Sequence, residues 1–415
     1  MPRSATSGPE ADRAGLLDGG LPGEGHWQQH AQPPPRRRLR DRSGARIVLA
    51  VVVVCFGWFA WSMGHALAAP GGGTVSDRVA EWARDHYLGP LVTFGEWITY
   101  QPPKAGGKPS FALTAPGSGR LPPGSLAAAK ALHGRQQVAP VFPARLKSRA
   151  GQPLPGEGAW RVLASVNGIP AVYGTYLRPD RVHTSYAEGI VSMDQRLVRF
   201  QLHPGAEDPG PGNWKVPPSV PRGSRSGLLA TFNGGFKIAS AGGGFYLDGV
   251  RKGALQRGAA SVVYYRDGRV DIGSWGRDVQ MTRQVKGVRQ NLRLIVDHGR
   301  VPASVDVSVQ TNWGATLGGG EFVWRSGVGI THSGRVIYVY GPALNVQELA
   351  GLLQRAGCVR AMQLDINPDW MSFMYYRSGR HPADPTPVNL LPDQVQPPDR
   401  FYATSSRDFT AVFAR

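Results

Sequence analysis

From Ile47 to Ala69 the chain reads IVLAVVVVCFGWFAWSMGHALAA, with no charged side chain unless His65 is protonated. About 20 apolar residues at about 1.5 Å rise each span roughly 30 Å, the thickness of a bilayer's hydrocarbon core. The run divides the rest of the chain into two sides. Six arginines lie between Arg36 and Arg46 and no comparable cluster follows, so the positive-inside bias places residues 1–46 in the cytoplasm and the remainder outside. Ala66-Leu67-Ala68 also offers small residues at a spacing that suits signal peptidase. The basic leader is long for a cleaved signal, which favours an uncleaved anchor over 47–69. Both readings export the C-terminal part.

Residues 1–46 are rich in Pro, Gly, Gln and Arg, lack apolar periodicity, and read as a disordered basic tail. They hold eight Arg and five acidic residues, net +3, so of the chain's +18 about +15 lies beyond the apolar run. A basic face favours anionic partners such as phosphodiesters, wall polymers or lipid headgroups. Nucleic acid is not an expected partner, since zinc-finger spacing, an RNP-type aromatic signature and a dense basic patch interleaved with aromatics are all missing beyond the tail. The two cysteines are Cys55, inside the apolar run, and Cys358. A disulfide between them is not expected, and a thiolate zinc site is excluded by count.

After the apolar run, helical spacing of Val75, Val79, Trp82, Ala83 and His86 predicts a juxtamembrane helix over 75–100, capped by Ser76 or Asp77. Residues 101–158 read as a Pro/Gly-rich, semi-rigid linker with one short helical stretch near Leu126. The folded domain is expected over 159–415. Its strand-length β-branched and aromatic runs, punctuated by Gly, Pro and Asp, predict hairpins. The fold class expected is α+β: one sheet-rich domain of antiparallel hairpins with a few helices, behind a transmembrane helix and linker. Asp267-Gly268 between two β-rich runs signals a type I′ turn, and His298-Gly299 and Ser333-Gly334 mark further strand pairs. Asn345 with Glu348 three residues on forms a capping box, Val346, Leu349, Ala350 and Leu353 give a buried stripe, and Gly357 ends the helix.

The stretch TFNGGFKIASAGGGFYLDG (231–249) draws the functional reading. Leu228 to Phe232 is a continuous apolar strand that delivers Asn233, and the glycines behind it call for positive φ or close backbone approach. As Asn-Gly it is also an ordinary hairpin signal. A second strand, Cys358 to Leu364, ends in Asp365-Ile366-Asn367-Pro368-Asp369-Trp370.

The order NGGF (233–236), the turns at 267–268 and 298–299, RSGVGITHSGRV (325–336), a capped helix, then GCVRAMQLD (357–365) resembles the phosphodiester glycosidase family. That is the domain of the lysosomal enzyme that removes N-acetylglucosamine from phosphodiester-linked mannose, and it is widespread in bacteria. The resemblance covers roughly residues 160 to 415. It implies a membrane-anchored glycosidase acting on a sugar-1-phosphodiester, with a cell-envelope glycan as expected substrate, and it carries over Asn233, Gly234, Gly235, Arg325 and Asp365. The family's strand usually ends Asp-Gly-Gly. Here Asp365 matches and residues 366–370 do not, so the substrate differs or the activity is altered.

Splitting a sugar-1-phosphodiester requires holding the phosphate, stabilising an oxocarbenium-like centre and managing a proton or water. The residues expected to do so are Asp365 as nucleophile or general base, Arg325 on the phosphate, and Asn233 with the Gly234 and Gly235 N–H groups as an oxyanion cradle beside Phe236. Asp369 is added as a second carboxylate by inference from position alone. No cofactor and no metal site are called for, with a divalent cation at Asp365 and Asp369 left open. An EF-hand is not expected: its sixth position would be Trp370 and its twelfth Tyr376. HExxH, a Walker lysine and a G-x-S-x-G elbow are absent. Histidines 183, 203, 298, 332 and 381 are expected to be solvated. The competing reading is a non-catalytic binder of anionic wall glycopolymers, using the same cleft and the aromatic-rich WMSFMYY (370–376) as a groove lining.

Overall fold

The computed structural model describes residues 40–68, 75, 78–79, 82–83, 86, 88, 101–114, 141–306, 312–314, 320–378 and 382–415. Turn chemistry fixes much of the strand pairing. Asn167-Gly168 joins β1 (Arg161–Val166) to β2 (Ile169–Leu177) with φ of 50° and 80°, the type I′ geometry that matches strand twist. Asp267-Gly268 corrects the expected type I′ turn. Only Gly268 is left-handed, at φ 81°. The Gly268 N–H donates to Tyr265 O at 2.9 Å and the Tyr265 N–H to Arg269 O at 2.8 Å, so a type I turn closed by a glycine bulge links β8 (Ala260–Tyr265) to β9 (Val270–Ser274). A type I′ pair of positive φ values sits instead at His298-Gly299, φ 47° and 73°. Its return arm reaches only the single bridge Asp297↔Arg300.

Among the described residues, three antiparallel sheets result. A seven-stranded sheet has the order β1, β2, β3 (Glu188–Met193), β13 (Val336–Leu344), β12 (Val323–Thr331), β14 (Cys358–Gln363), β11 (Leu294–Val296). A five-stranded sheet runs β7 (Val250–Lys252), β6 (Phe245–Leu247), β10 (Val285–Gln290), β8, β9, and another runs β16 (Thr386–Asn389), β15 (Phe373–Arg377), β5 (Leu228–Asn233), β17 (Phe409–Ala414), β4 (Val198–His203). All three share one core, in which Val172 and Tyr338 meet Phe245, Val262, Phe232 and Val412. This is the α+β, sheet-rich domain the strand pattern predicts.

The opposite face of the seven-stranded sheet is covered by α2 (Val346–Arg355). Asn345 caps it as the sequence predicts: its Oδ1 accepts the Glu348 N–H at 2.8 Å and the Glu348 carboxylate accepts the Asn345 N–H at 3.3 Å. Leu349 and Leu353 pack on Ile337 and Val339. Each such fully buried side chain is worth roughly 1.5–3 kcal/mol.

Part of 101–158 is packed into the domain, so the linker reading of that stretch needs correcting. Leu113 and Leu146 are buried in the core clusters. Glu157 accepts from Arg178 Nη2 at 3.0 Å with both side chains buried. Apolar burial and a fixed ion pair are what a spacer would lack. The short helical stretch near Leu126 lies outside the described residues, as does most of the helix expected over 75–100. α1 (Arg40–Ala68) includes a stretch, Ser43–Ala68, long and apolar enough to cross a membrane; a signal sequence has the same character. Cys55 and Cys358 are both free. The histidines divide: His298 and His332 are exposed, whereas His183 and His203 are buried, contrary to the expectation that all are solvated. His203 stacks on Phe409 at 4.5 Å and burial pushes its pKa down to about 4. His381 lies outside the described residues.

Candidate active site

β5 and β14 end side by side through Ser326 of β12. The Ser326 N–H donates to Asp365 O at 2.9 Å, and Ser326 Oγ accepts from Asp365 N and Asn233 Nδ2, both at 3.1 Å. Asn233 is fully engaged in holding this junction. Its Nδ2 also donates to Gly234 O at 2.7 Å, while its Oδ1 accepts from Tyr338 Oη at 2.5 Å and from Ser372 N at 3.3 Å. The amide therefore welds two strand ends and a loop.

Neither Gly234 nor Gly235 is left-handed, so NGGF is no hairpin turn; close approach explains the glycines. A Cβ on Gly234 would lie 2.1 Å from Asp408 Oδ2. The Gly234 N–H donates to Asp408 O at 3.0 Å and the Phe236 N–H to Asn291 Oδ1 at 3.1 Å. Phe236 meets Ile366 across Gly314, where an added Cβ would sit 2.6 Å from Phe236 and 2.8 Å from Ile366. The two walls expected to face each other, 233–236 and 365–370, thus close on one point.

Asp365 is 4 % exposed. Its Oδ1 accepts the N–H groups of Ile366 at 2.8 Å and Asn367 at 3.0 Å, forming the turn before Asn367-Pro368. Its Oδ2 lies 3.7 Å from Arg407 Nη2. Burial pushes the carboxyl up to about 6, and Arg407, the two turn N–H groups and Arg289 keep it from rising further. One oxygen is structural and the other faces a guanidinium. Asp369 sits in the same loop: its N–H donates to Asn367 Oδ1 at 2.9 Å and its carbonyl accepts from Gln396 Nε2 at 2.6 Å.

Arg325 is on the α2 face of the sheet, since Gly327, two residues along β12, abuts Leu349 and Leu353. Its Nε donates to Leu344 O and its Nη1 to Gln363 Oε1, each at 2.9 Å. Burial pushes its guanidinium down to about 10, so it remains ionised at neutral pH. The guanidinium that reaches Asp365 is that of Arg407.

Three further basic groups and a carboxylate complete the site, none singled out by sequence. Arg407 Nη2 donates to Gly235 O at 3.3 Å, tying the NGGF wall to Asp365. Arg400 donates through Nη1 to Trp370 O at 3.0 Å and Ser372 Oγ at 3.3 Å. The Arg400 and Arg407 guanidinium carbons each lie 5.3 Å from the Trp370 ring, within cation–π reach. Arg289 pairs with Asp408 at 3.0 Å (Nε–Oδ2) and 3.1 Å (Nη2–Oδ1), fully buried, and its Nη2 also donates to Phe236 O. Burial pushes the Asp408 carboxyl up and Arg289 offsets that shift. A signal existed: Arg407-Asp408 immediately precedes the apolar strand β17, an unusual place for adjacent charges. Chemically, the site offers a carboxylate poised near neutrality and a cluster of guanidinium groups suited to a phosphate, packed around the buried Trp370 indole.

The aromatic run expected to line a groove is largely core: Phe373, Met374, Tyr375 and Tyr376 are all buried. That corrects the groove reading for the whole run, since Trp370, Met371 and Ser372, which precede β15, are buried as well.

No curated protein matches the chain. The catalytic domain of the zebrafish N-acetylglucosamine-1-phosphodiester alpha-N-acetylglucosaminidase, auto-inhibited by its pro-peptide, is 15 % identical, with 66 % of this chain and 94 % of that one covered at a TM-score of 0.37. A hypothetical protein from Synechocystis is 12 % identical, covering 60 % and 63 % at a TM-score of 0.32. A putative exported protein from Burkholderia pseudomallei K96243 is 11 % identical, covering 55 % and 74 % at 0.26. By sequence, residues 226–365 match the model of a family described as phosphodiester glycosidase. That stretch holds the NGGF wall, Arg325 and Asp365.

Proposed function

We propose that this chain is an exported hydrolase, anchored by α1, that cleaves a sugar-1-phosphodiester in an anionic cell-envelope glycan. In the proposed step Asp365 takes a proton from water, the water oxygen bonds to the anomeric carbon, and the bond from that carbon to the phosphate oxygen breaks. The phosphate leaves as a monoester whose charge Arg407 neutralises. Arg325 and Asn233 support this geometry from behind rather than touching the substrate. The observation that carries the reading is the buried Asp365 carboxyl, raised to about 6, with one oxygen held by a turn and the other against Arg407. A base with that pKa is matched to catalysis near neutral pH.

The test is sugar release from a panel of glycosyl phosphodiesters by the detergent-solubilised full chain. Asp365→Asn is expected to lose about 10²- to 10⁴-fold in kcat, the range for a general base, and an unchanged rate would overturn the assignment. The wild-type kcat/KM should rise with pH through about 6, because the base acts deprotonated; a fall over that range would make Asp365 an acid instead. The departure from Asp-Gly-Gly at 366–370 motivates the alternative of a non-catalytic glycopolymer binder. Saturable binding with no turnover across the panel would favour it.

A further inference from the structure

On the α2 face of the seven-stranded sheet lies a second group of titratable side chains that the proposed reaction does not use. β2 leads into Asp180, whose Oδ1 accepts the N–H groups of Val182 at 2.5 Å and His183 at 2.7 Å. Its Oδ2 accepts from His183 Nδ1 at 2.7 Å. The His183 ring lies 4.4 Å from that of Phe322, directly before β12, so this loop crosses toward the N-terminal turn of α2. There Glu348 joins it: one ligand atom each from Asp180, His183 and Glu348 lie within 4.8 Å of one another.

Such a group could be an internally bonded polar turn. Glu188 makes it more. At the start of β3 it is 0 % exposed, and neither carboxylate oxygen has a hydrogen-bond partner. A buried carboxylate without partners costs several kcal/mol unless it is neutralised. Its side chain shares a face with Ile190, which packs with Leu349 under α2. A Cβ on Gly341 of β13 would fall 1.7 Å from Glu188 Oε2, so the carboxylate lies over that glycine. There it is within electrostatic reach of Glu348 and Asp180. Burial pushes its pKa well up, and the charges of Asp393, Glu348 and Asp180 add to the shift. Arg325, on the same face and within electrostatic reach of Glu348, donates to Leu344 O and Gln363 Oε1 rather than to these carboxylates.

We propose that Asp180, His183 and Glu348 bind one divalent transition-metal ion, zinc or manganese, whose charge the buried Glu188 carboxylate balances. One imidazole among carboxylates suits these ions better than calcium or magnesium, which prefer all-oxygen shells. Ligand atoms about 2.1 Å from a common ion are at most about 4.2 Å apart, so a small closure from 4.8 Å brings the three together. The ion would fasten the β2–β3 connection to the start of α2. It would act on stability rather than on chemistry at Asp365.

The experiment is calorimetric titration of the detergent-solubilised full chain, stripped with chelator and desalted, with the chlorides of zinc, manganese, calcium and magnesium, beside thermal melts with and without each metal. One saturable equivalent is expected, with a melting temperature that rises on binding. Glu188→Gln and His183→Asn should each weaken that binding at least tenfold. Glu188→Gln keeps the side-chain shape, so it tests charge while His183→Asn tests the nitrogen ligand. No saturable binding up to about 1 mM, binding of wild-type strength in both variants, or tighter binding of calcium or magnesium than of zinc or manganese would overturn the proposal.

Discussion

Two buried carboxyl groups near the same end of the seven-stranded sheet meet opposite surroundings. Asp365, following β14, has two turn N–H groups on one oxygen and Arg407 near the other, with Arg289 and Arg400 close by. Glu188, opening β3, has no hydrogen-bond partner on either oxygen among the described residues, and its acidic neighbours are Asp393, Glu348 and Asp180. Burial raises both pKa values, but only the first is held back by cations, to about 6. The contrast teaches that desolvation alone does not assign a role. A carboxyl tuned near neutrality by guanidinium groups can exchange protons in a reaction, whereas one left without counter-charge needs a proton or a metal to exist in the fold.

The largest effect should come from stripping the cationic side of that contrast. Arg289→Met leaves Asp408 buried and unpaired beside Gly234, and should cost about 3–5 kcal/mol, read as a lowered denaturant midpoint. Replacing both partners, with Asp408→Leu added, should recover much of the loss, since two apolar groups leave no orphan charge. If the double variant is as unstable as the single one, the pair's value lies in packing. Next, Arg407→Ala should reduce kcat by about 10²–10³, the loss expected for one charge-stabilising donor. It should also move the acid limb of the pH–rate profile above about 6, because Arg407 is the first of the groups holding Asp365 down. A lowered rate with an unmoved limb would separate Arg407 from Asp365.

What the sequence revealed follows the range of the interactions. The capping box at Asn345 and Glu348 is local, three residues apart, and was fully legible. NGGF was legible as a place of close approach because glycines are visible in a string, but what approaches, Asp408, lies far along the chain. Arg289 with Asp408 and Asp180 with Glu348 are long-range pairs that no local period encodes. Arg325 was expected on the phosphate, yet alternation along β12 sends it to the α2 face. Turn type failed for a related reason: Asp-Gly and His-Gly both permit left-handed backbone, and strand register decides which one closes in two residues.

The acidic corner gives smaller effects of opposite sign. In chelator, Glu188→Gln should stabilise the chain at pH 7–8 by roughly 1–2 kcal/mol. The sign follows from the raised folded pKa: the contribution of Glu188 is fully present below its unfolded value of 4.5 and is lost as pH rises through the folded one. The variant's melting temperature should therefore change less between pH 5 and 8 than that of wild type. A variant less stable than wild type at pH 8 without metal would mean that Glu188 has a cationic partner, and the contrast with Asp365 would collapse.

The smallest effect tests how far the two corners are independent. Asn345→Ala removes the 2.8 Å cap to Glu348 N and the 2.8 Å bond from Asn345 Nδ2 to Glu321 Oε1, and should cost about 1 kcal/mol by denaturation. Glu348 loses part of its anchoring at the start of α2, so binding of zinc or manganese should weaken with it. Sugar release should stay at the wild-type rate, because Asp365 is held through Ser326 and the turn at 366–367 rather than through α2. A fall in turnover without a fall in metal binding would tie α2 to the Arg-rich corner and reverse that division.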